Sequence, residues 1–235
     1  MRTSLRLNIA AVLAALMFLV SPSVSGAQTH EEKRVTDSAA VLETLVRAPD
    51  QGIPEHILER AEAIVVIPSL VKGGFIIGAQ HGRGIMSIRD RETNRWSAPG
   101  FVALTGGSIG WQIGVQAVDL VLLVMNRDGV KDLLDNEFKF GANASVAAGP
   151  VGRQGEASTD ASLNAQILAY SRAKGLFAGL SLEGASLRMD KDANKDFYGT
   201  TISTEDMVRG ITKTTPAGSQ WTATLTRLVP ANSTR

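Results

Sequence analysis

Cysteine is absent from the 235 residues. That excludes disulfides, thiolate metal ligands, a cysteine nucleophile and lipid attachment through an N-terminal cysteine. Histidine is nearly as scarce. His30, His56 and His81 stand far apart in sequence, too little for a catalytic zinc site. Aromatic residues make up only 5% of the chain, so the basic and aromatic interleaving that grips single-stranded nucleic acid is missing. An excess of one charge is missing as well. With 24 Lys+Arg against 23 Asp+Glu the net charge is +1, which argues against a nucleic-acid partner. No G-x-G-x-x-G follows a strand, and no glycine-rich loop ends in a phosphate-binding Lys-Ser or Lys-Thr pair, so no cofactor is expected. The apolar run at residues 7–20 is too short to span a bilayer comfortably as a helix, and no other stretch is long enough.

What is present is a globular composition, 44% hydrophobic and 20% charged, at a length that fits one domain. Glycine is in excess: 23 residues, against a usual share of roughly 7%. The N-terminus has the three parts of a secretory leader. Arg2 and Arg6 give it positive charge, residues 7–20 are apolar apart from Asn8, and small residues follow to Ala27. Ser25 and Ala27 suit signal peptidase, with cleavage expected after Ala27. The expected organisation is a leader over 1–27 and a single domain over 28–235. Without the two leader arginines the net charge becomes −1. A periplasmic or secreted location follows, peripheral to a membrane if lipid is the partner.

Periodicity predicts helices first and strands after. Val35, Ala39, Leu42 and Leu45 repeat at helical spacing from about residue 30, with Thr36 or Asp37 as cap. Pro49 to Gly52 breaks this helix, and another follows Pro54. Strands are predicted at 64–67, ended by Pro68, and at 84–89. Residues 108–118 alternate strictly, with Ile109, Trp111, Ile113, Val115 and Ala117 on the expected buried face. Residues 120–125 are continuously apolar, as in a strand buried on both faces. A helical turn or two is predicted at 130–134, and further strands at 142–148, 167–171 and 177–189. Residues 190–197 read as a polar connection and 204–209 as a short helix. The tail fits a helix through Trp221, Leu225 and Leu228 or a strand through Thr222, Thr224 and Thr226, and a helix is preferred because Pro216 can start it. The fold class is therefore α+β, with N-terminal helices packed on a large, curved, mainly antiparallel sheet that approaches a barrel.

Two motifs invite chemistry and fail on inspection. Gly106-Gly107-Ser108-Ile109-Gly110 matches the G-x-S-x-G of serine hydrolases. The elbow needs a helix after the serine, whereas the sequence alternates as a strand, and all three histidines precede Ser108. Residues 190–196 begin like a calcium loop, but Lys195 stands where the sharp turn needs glycine and Thr201 where the loop needs glutamate. No catalytic residue and no metal site is assigned, and an enzyme is not expected. Basic residues group loosely at Lys33/Arg34, Lys72, Arg83 and Arg89/Arg91/Arg95, with acids interspersed, as on solvated faces.

Ordered segments together resemble the SYLF domain, a lipid-binding module. They begin with Ile67-Pro68-Ser69-Leu70-Val71-Lys72-Gly73-Gly74-Phe75, Gly82-Arg83-Gly84 and Trp96-Ser97-Ala98-Pro99. Gly106 to Gly114, Gly149-Pro150-Val151-Gly152-Arg153, Tyr170 to Gly179, Leu182-Glu183-Gly184 and Phe197-Tyr198-Gly199 complete the set. The likeness spans about 36–212, leaving 213–235 as an extension. It implies non-enzymatic binding of phospholipid or another amphiphile, here in a bacterial cell envelope. Lys33, Arg34 and Arg47 around the amphipathic first helix, and Lys72 and Arg83 beside glycines, are the candidate lipid-binding residues. An anionic phospholipid or membrane surface is the expected partner. An envelope protein docking on the glycine-rich sheet is the alternative, and a serine hydrolase at Ser108 a remote one.

Overall fold

The computed structural model describes residues 28–49, 52–90, 92–134, 138–142, 145–152, 165–173, 176–177, 181–202, 206 and 215–229. The expected leader, Arg153, Lys174-Gly175 and all of the expected 204–209 helix except Asp206 lie outside them.

Helix α1 (His30–Val46) begins where the helical spacing does, but its cap is Thr29 rather than Thr36 or Asp37. The Thr29 hydroxyl accepts from the Glu32 amide and the Glu32 carboxylate accepts from the Thr29 amide, a reciprocal capping box. Thr36 and Asp37 are interior to the helix instead. The Thr36 hydroxyl donates to the Glu32 carbonyl, and Asp37 accepts from Lys33 at 2.7 Å. Helix α1 buries Val35, Leu42 and Leu45, so its apolar face is already used inside the protein. Helix α2 (Glu55–Arg60) follows Pro54 as expected and buries Ile57 and Leu58.

Two long strands dominate the sheet. β1 (Ala63–Ile88) and β2 (Gly100–Val124) run antiparallel, with Ala63 opposite Val124 and Met86 opposite Gly100. The predicted strand end at Pro68 is a bulge. The register shifts between Ile67 and Leu70, Ser69 takes φ 52°, and its amide donates to Asp119 Oδ1 at 3.0 Å. Proline has no amide proton to give a ladder, and a bulge is where a strand tolerates that. Helix α3 (Arg127–Leu134) then leads to the short strands β3 (Phe138–Lys139) and β4 (Val146–Ala148). β4 is shorter than the predicted 142–148, and the strand predicted over 177–189 is interrupted by a turn at Glu183-Gly184, where Gly184 takes φ 78°. β5 (Ile167–Ala173) pairs with residues 119–124 of β2, β6 (Leu176–Phe177) with β5, and β7 (Ala185–Met189) with residues 102–106. β4 and β5 are parallel; every other pairing is antiparallel.

The seven-stranded sheet curls into a half-barrel. Its tightest point is within β1, where a Cβ on Gly84 would stand 2.0 Å from the Val66 carbonyl oxygen. The two arms of that strand thus lie against each other, and a glycine permits the approach. The curl produces two cores. Ile64, Val66, Phe101, Val121 and Leu123 meet α1, α2 and helix α5 (Pro216–Leu228) on one face. Val65, Ile67, Leu120, Leu122, Val124 and Phe138 fill the other. Residues 120–124 are buried on both faces, as their continuous apolar run predicts. α5 begins at Pro216 as expected and is capped by the Thr215 hydroxyl.

Three expectations are corrected. Residues 190–197 are not a connection but the entry to helix α4 (Lys191–Tyr198), capped by Asp190. Ala193 and Phe197 sit four apart on its inner side, a spacing that the charged residues between them conceal. Arg89 is not on a solvated face; it is 6% exposed, donates to the Glu59 carbonyl at 2.7 Å and lies over the Trp96 ring. Burial lowers its pKa, against the opposing pull of Glu62 and Glu59. Finally, Val115 and Ala117 are exposed, although the alternation assigns them to a buried face. Among the described residues β2 pairs there with β1 alone, and no second layer covers that stretch.

Candidate functional site

Helix α4 is stapled across the start of β2. The buried Asn194 amide donates to the Phe101 carbonyl and accepts from the Phe101 amide, at 3.1 and 3.0 Å. It replaces a neighbouring strand at that residue. The Asp190 amide also donates to the Phe101 carbonyl, and the Tyr198 hydroxyl to the Pro99 carbonyl. Replacing Asn194 with alanine orphans the Phe101 amide, while the Phe101 carbonyl keeps the Asp190 donor, and is expected to cost about 1–3 kcal/mol, read from urea unfolding. A loss below about 0.5 kcal/mol would show that water substitutes for the amide.

The staple fixes one wall of an open cleft of about 910 Å³. β1 contributes His81 and Arg83, β7 contributes Arg188, and the start of α4 contributes Asp190, Lys191, Asp192 and Asn194. Asp190 divides its carboxylate. Oδ1 accepts from the Ala193 amide as a helix cap, while Oδ2 lies 3.3 Å from Arg34 and 3.9 Å from Arg83. Arg34 stands outside the lining and is mostly buried, stacked over Phe101. It lies between Asp190 and Glu31, the latter 4.0 Å away. In the lining itself Arg83, Arg188 and Lys191 stand against Asp190 and Asp192, so the cleft keeps a positive surplus. Arg83 is 61% exposed at the side chain, and Arg188 and Lys191 have no ion-pair partner among the described residues. Such cations lose little on meeting an anion, because no internal partner must be surrendered.

The residues singled out from sequence divide in two. Arg34 and Arg83 meet at Asp190 beside the cleft. Lys33 pairs with Asp37 on the open face of α1, Arg47 ends that helix, and Lys72 stands opposite Gln116 on β1. None of these three lines the cleft. Sequence reasoning missed His81, Arg188, Lys191 and Asn194. The signal for the last two was the capping pattern of Asp190; the signal for Arg188 was its alternation with the buried Leu187. Gly82 and Gly84, read as glycines that admit a phosphate, have a packing role. A Cβ on Gly82 would stand 2.6 Å from the Ile67 side chain. Ser108 is within continuous strand, paired opposite Gly78, so no nucleophile elbow exists there. Among the described residues no helix is long and apolar enough to cross a membrane.

A curled α+β half-barrel with a cation-rich open cleft is the class of domain that the fold and this geometry define. A family model described as Ysc84, Las17-binding protein actin regulator, matches residues 105–228. The protein YSC84 of Saccharomyces cerevisiae is 34% identical over 188 residues, covering 77% of this chain and 40% of its own length. LAS seventeen-binding protein 3 of the same yeast is 36% identical over 171 residues, covering 72% and 37%. The human SH3 domain-containing YSC84-like protein 1 is 34% identical over 166 residues, covering 70% and 48%. The chain belongs to the Ysc84 family, the family of the SYLF domain. It spans less than half the length of these relatives.

Proposed function

We propose that this domain binds anionic phospholipid without catalysis, in the cell envelope, after removal of residues 1–27. The observation that carries the reading is the surplus of exposed cations in the cleft: Arg83, Arg188 and Lys191, beside His81. A phosphate headgroup offers several acceptors that a guanidinium fork engages in pairs. Each cation near an anionic surface adds about 1 kcal/mol, so three give about two decades of preference over a neutral surface. The amphipathic α1 is not the contact, because its apolar side is docked on α5 and the sheet.

Co-sedimentation tests this. The protein is expected to bind phosphatidylglycerol vesicles and not phosphatidylcholine vesicles, with binding weakened by salt. The double change Arg83→Ala/Arg188→Ala is expected to weaken binding about 30-fold. Lys33→Ala/Arg47→Ala should stay within about twofold, since neither residue lines the cleft. Failure to bind either vesicle would end the reading. A second reading, docking of an envelope protein partner, draws support from the family description, which names Las17 binding and actin regulation.

A further inference from the structure

The middle of the β1–β2 ribbon differs from the rest of the molecule. Val115 is 81% exposed and Val71 47%, the two large apolar side chains open to solvent among the described residues. Register places them together. Val71 is opposite Ala117 and Gly73 opposite Val115, so all four share one face. Ala79 and Gly107, also opposite each other, are exposed on the same strand parity. That parity continues along β1 through His81 to Arg83, both exposed and both lining the cleft.

The ribbon also lacks charge. Residues 105–118 hold none of Asp, Glu, Lys or Arg, nor do residues 73–82. At the chain's average of 20% charged, the first of these stretches alone would carry several. An exposed surface normally has them, for solubility and to discourage pairing at strand edges. Arg83 stands at one end of this face, while Lys72, of the other parity, belongs to the opposite side of the ribbon. An apolar strip that runs into a cation-lined cleft has the polarity of a bilayer interface: acyl chains under the strip, phosphates at its charged end.

We infer that the ribbon around Val71, Val115 and Ala117 enters the acyl–headgroup boundary when the cleft cations engage phosphates. The inference rests on the lipid-binding reading and adds the element that penetrates. Insertion is shallow, because a sheet edge in the hydrocarbon core would leave amides and carbonyls without partners.

The absence of cysteine makes the test clean, since a single Val115→Cys or Ser219→Cys carries one environment-sensitive fluorophore. Ser219 is exposed on α5, away from the cleft lining. With phosphatidylglycerol vesicles, the label at 115 should brighten several-fold and shift to the blue, and the label at 219 should not. Val115→Asp should weaken vesicle binding about tenfold while leaving binding of soluble glycerol phosphate unchanged. If labelled protein co-sediments with vesicles but the label at 115 is silent, the inference fails and lipid binding stands. If no variant or wild type co-sediments, lipid binding itself fails. Brightening at 115 that grows with protein concentration without lipid would make the strip a self-association surface and overturn the inference.

Discussion

Replacing Gly84 with alanine is expected to lower the melting temperature by more than about 6 °C, measured by circular dichroism. The new methyl would stand 2.0 Å from the Val66 carbonyl oxygen and 2.8 Å from the Ile67 Cα. Both are backbone atoms, so no rotamer change relieves the overlap. The arms of β1 must separate, and with them Val66 and Ile67, which belong to different cores. Overpacking of this kind costs about 3 kcal/mol or more, and each kcal/mol moves the midpoint of a domain this size by about 2–4 °C. Gly107→Ala is the contrast. Its nearest neighbour would be the Gly78 carbonyl at 4.0 Å, so the change should be close to neutral. Equal melting temperatures for both variants would mean that the arms of β1 do not lie against each other.

Truncating Trp221 to alanine should cost about 3–5 kcal/mol in urea unfolding. The side chain is fully buried among α1, α5 and the sheet. Its indole N–H donates to the Ser87 hydroxyl at 2.8 Å, which donates to the Ser97 carbonyl at 3.1 Å. The Ser97 hydroxyl in turn accepts from the Ile88 amide. This buried relay joins α5 to the end of β1 and the segment before β2. Trp221→Phe keeps most of the ring and loses the donor, so it should cost about 1 kcal/mol. If alanine cost no more than phenylalanine, the packing of α5 would contribute little. The exposed ion pair of Arg227 with Glu43, which also links α5 to α1, adds less than about 1 kcal/mol. The Arg227 hydrogen bond still holds the Glu43 carboxyl below its usual pKa.

The parts of this fold legible in sequence are those where burial imposes a period. The helical spacing of Val35, Leu42 and Leu45, the doubly buried run 120–124 and the helix from Pro216 carrying Trp221 all stand as read. Errors came where a local cue had two physical outcomes. Pro68 reads as a strand end, yet the bulge at Ser69 absorbs it while Asp119, fifty residues away, takes up the free amide. Residues 190–197 look polar because most of α4 is exposed, and its anchor is a polar residue, Asn194. Alternation told which of residues 108–118 share a face, but not whether anything covers it. Whether a strand face is covered is decided by distant elements, and the strip at Val115 shows the difference. The candidate site was half visible for a similar reason. Arg83 could be named, but Arg188 and Lys191 reach it only through the pairing of β7 with β2.

The length of the β1–β2 ribbon bears on how the chain finds its fold. The connection at 89–99 brings Met86 to Gly100 across a short loop, whereas Ala63 meets Val124 only after sixty intervening positions close. Zippering from the loop lowers the entropy of each later pairing, so the loop end is where folding should begin. The ribbon's glycine-rich middle offers few side chains to distinguish one alignment from its neighbour. Two register irregularities lie on the way, at Gly74/Ile76 and at Ile67/Leu70. Past the second, the apolar runs 63–67 and 120–124 reward one alignment alone, because a slip by one residue would exchange the two cores. The chain therefore verifies its alignment late, at the end of the ribbon farthest from where it started. Slow, reversible realignment before that step is the kinetic signature such a hairpin should leave.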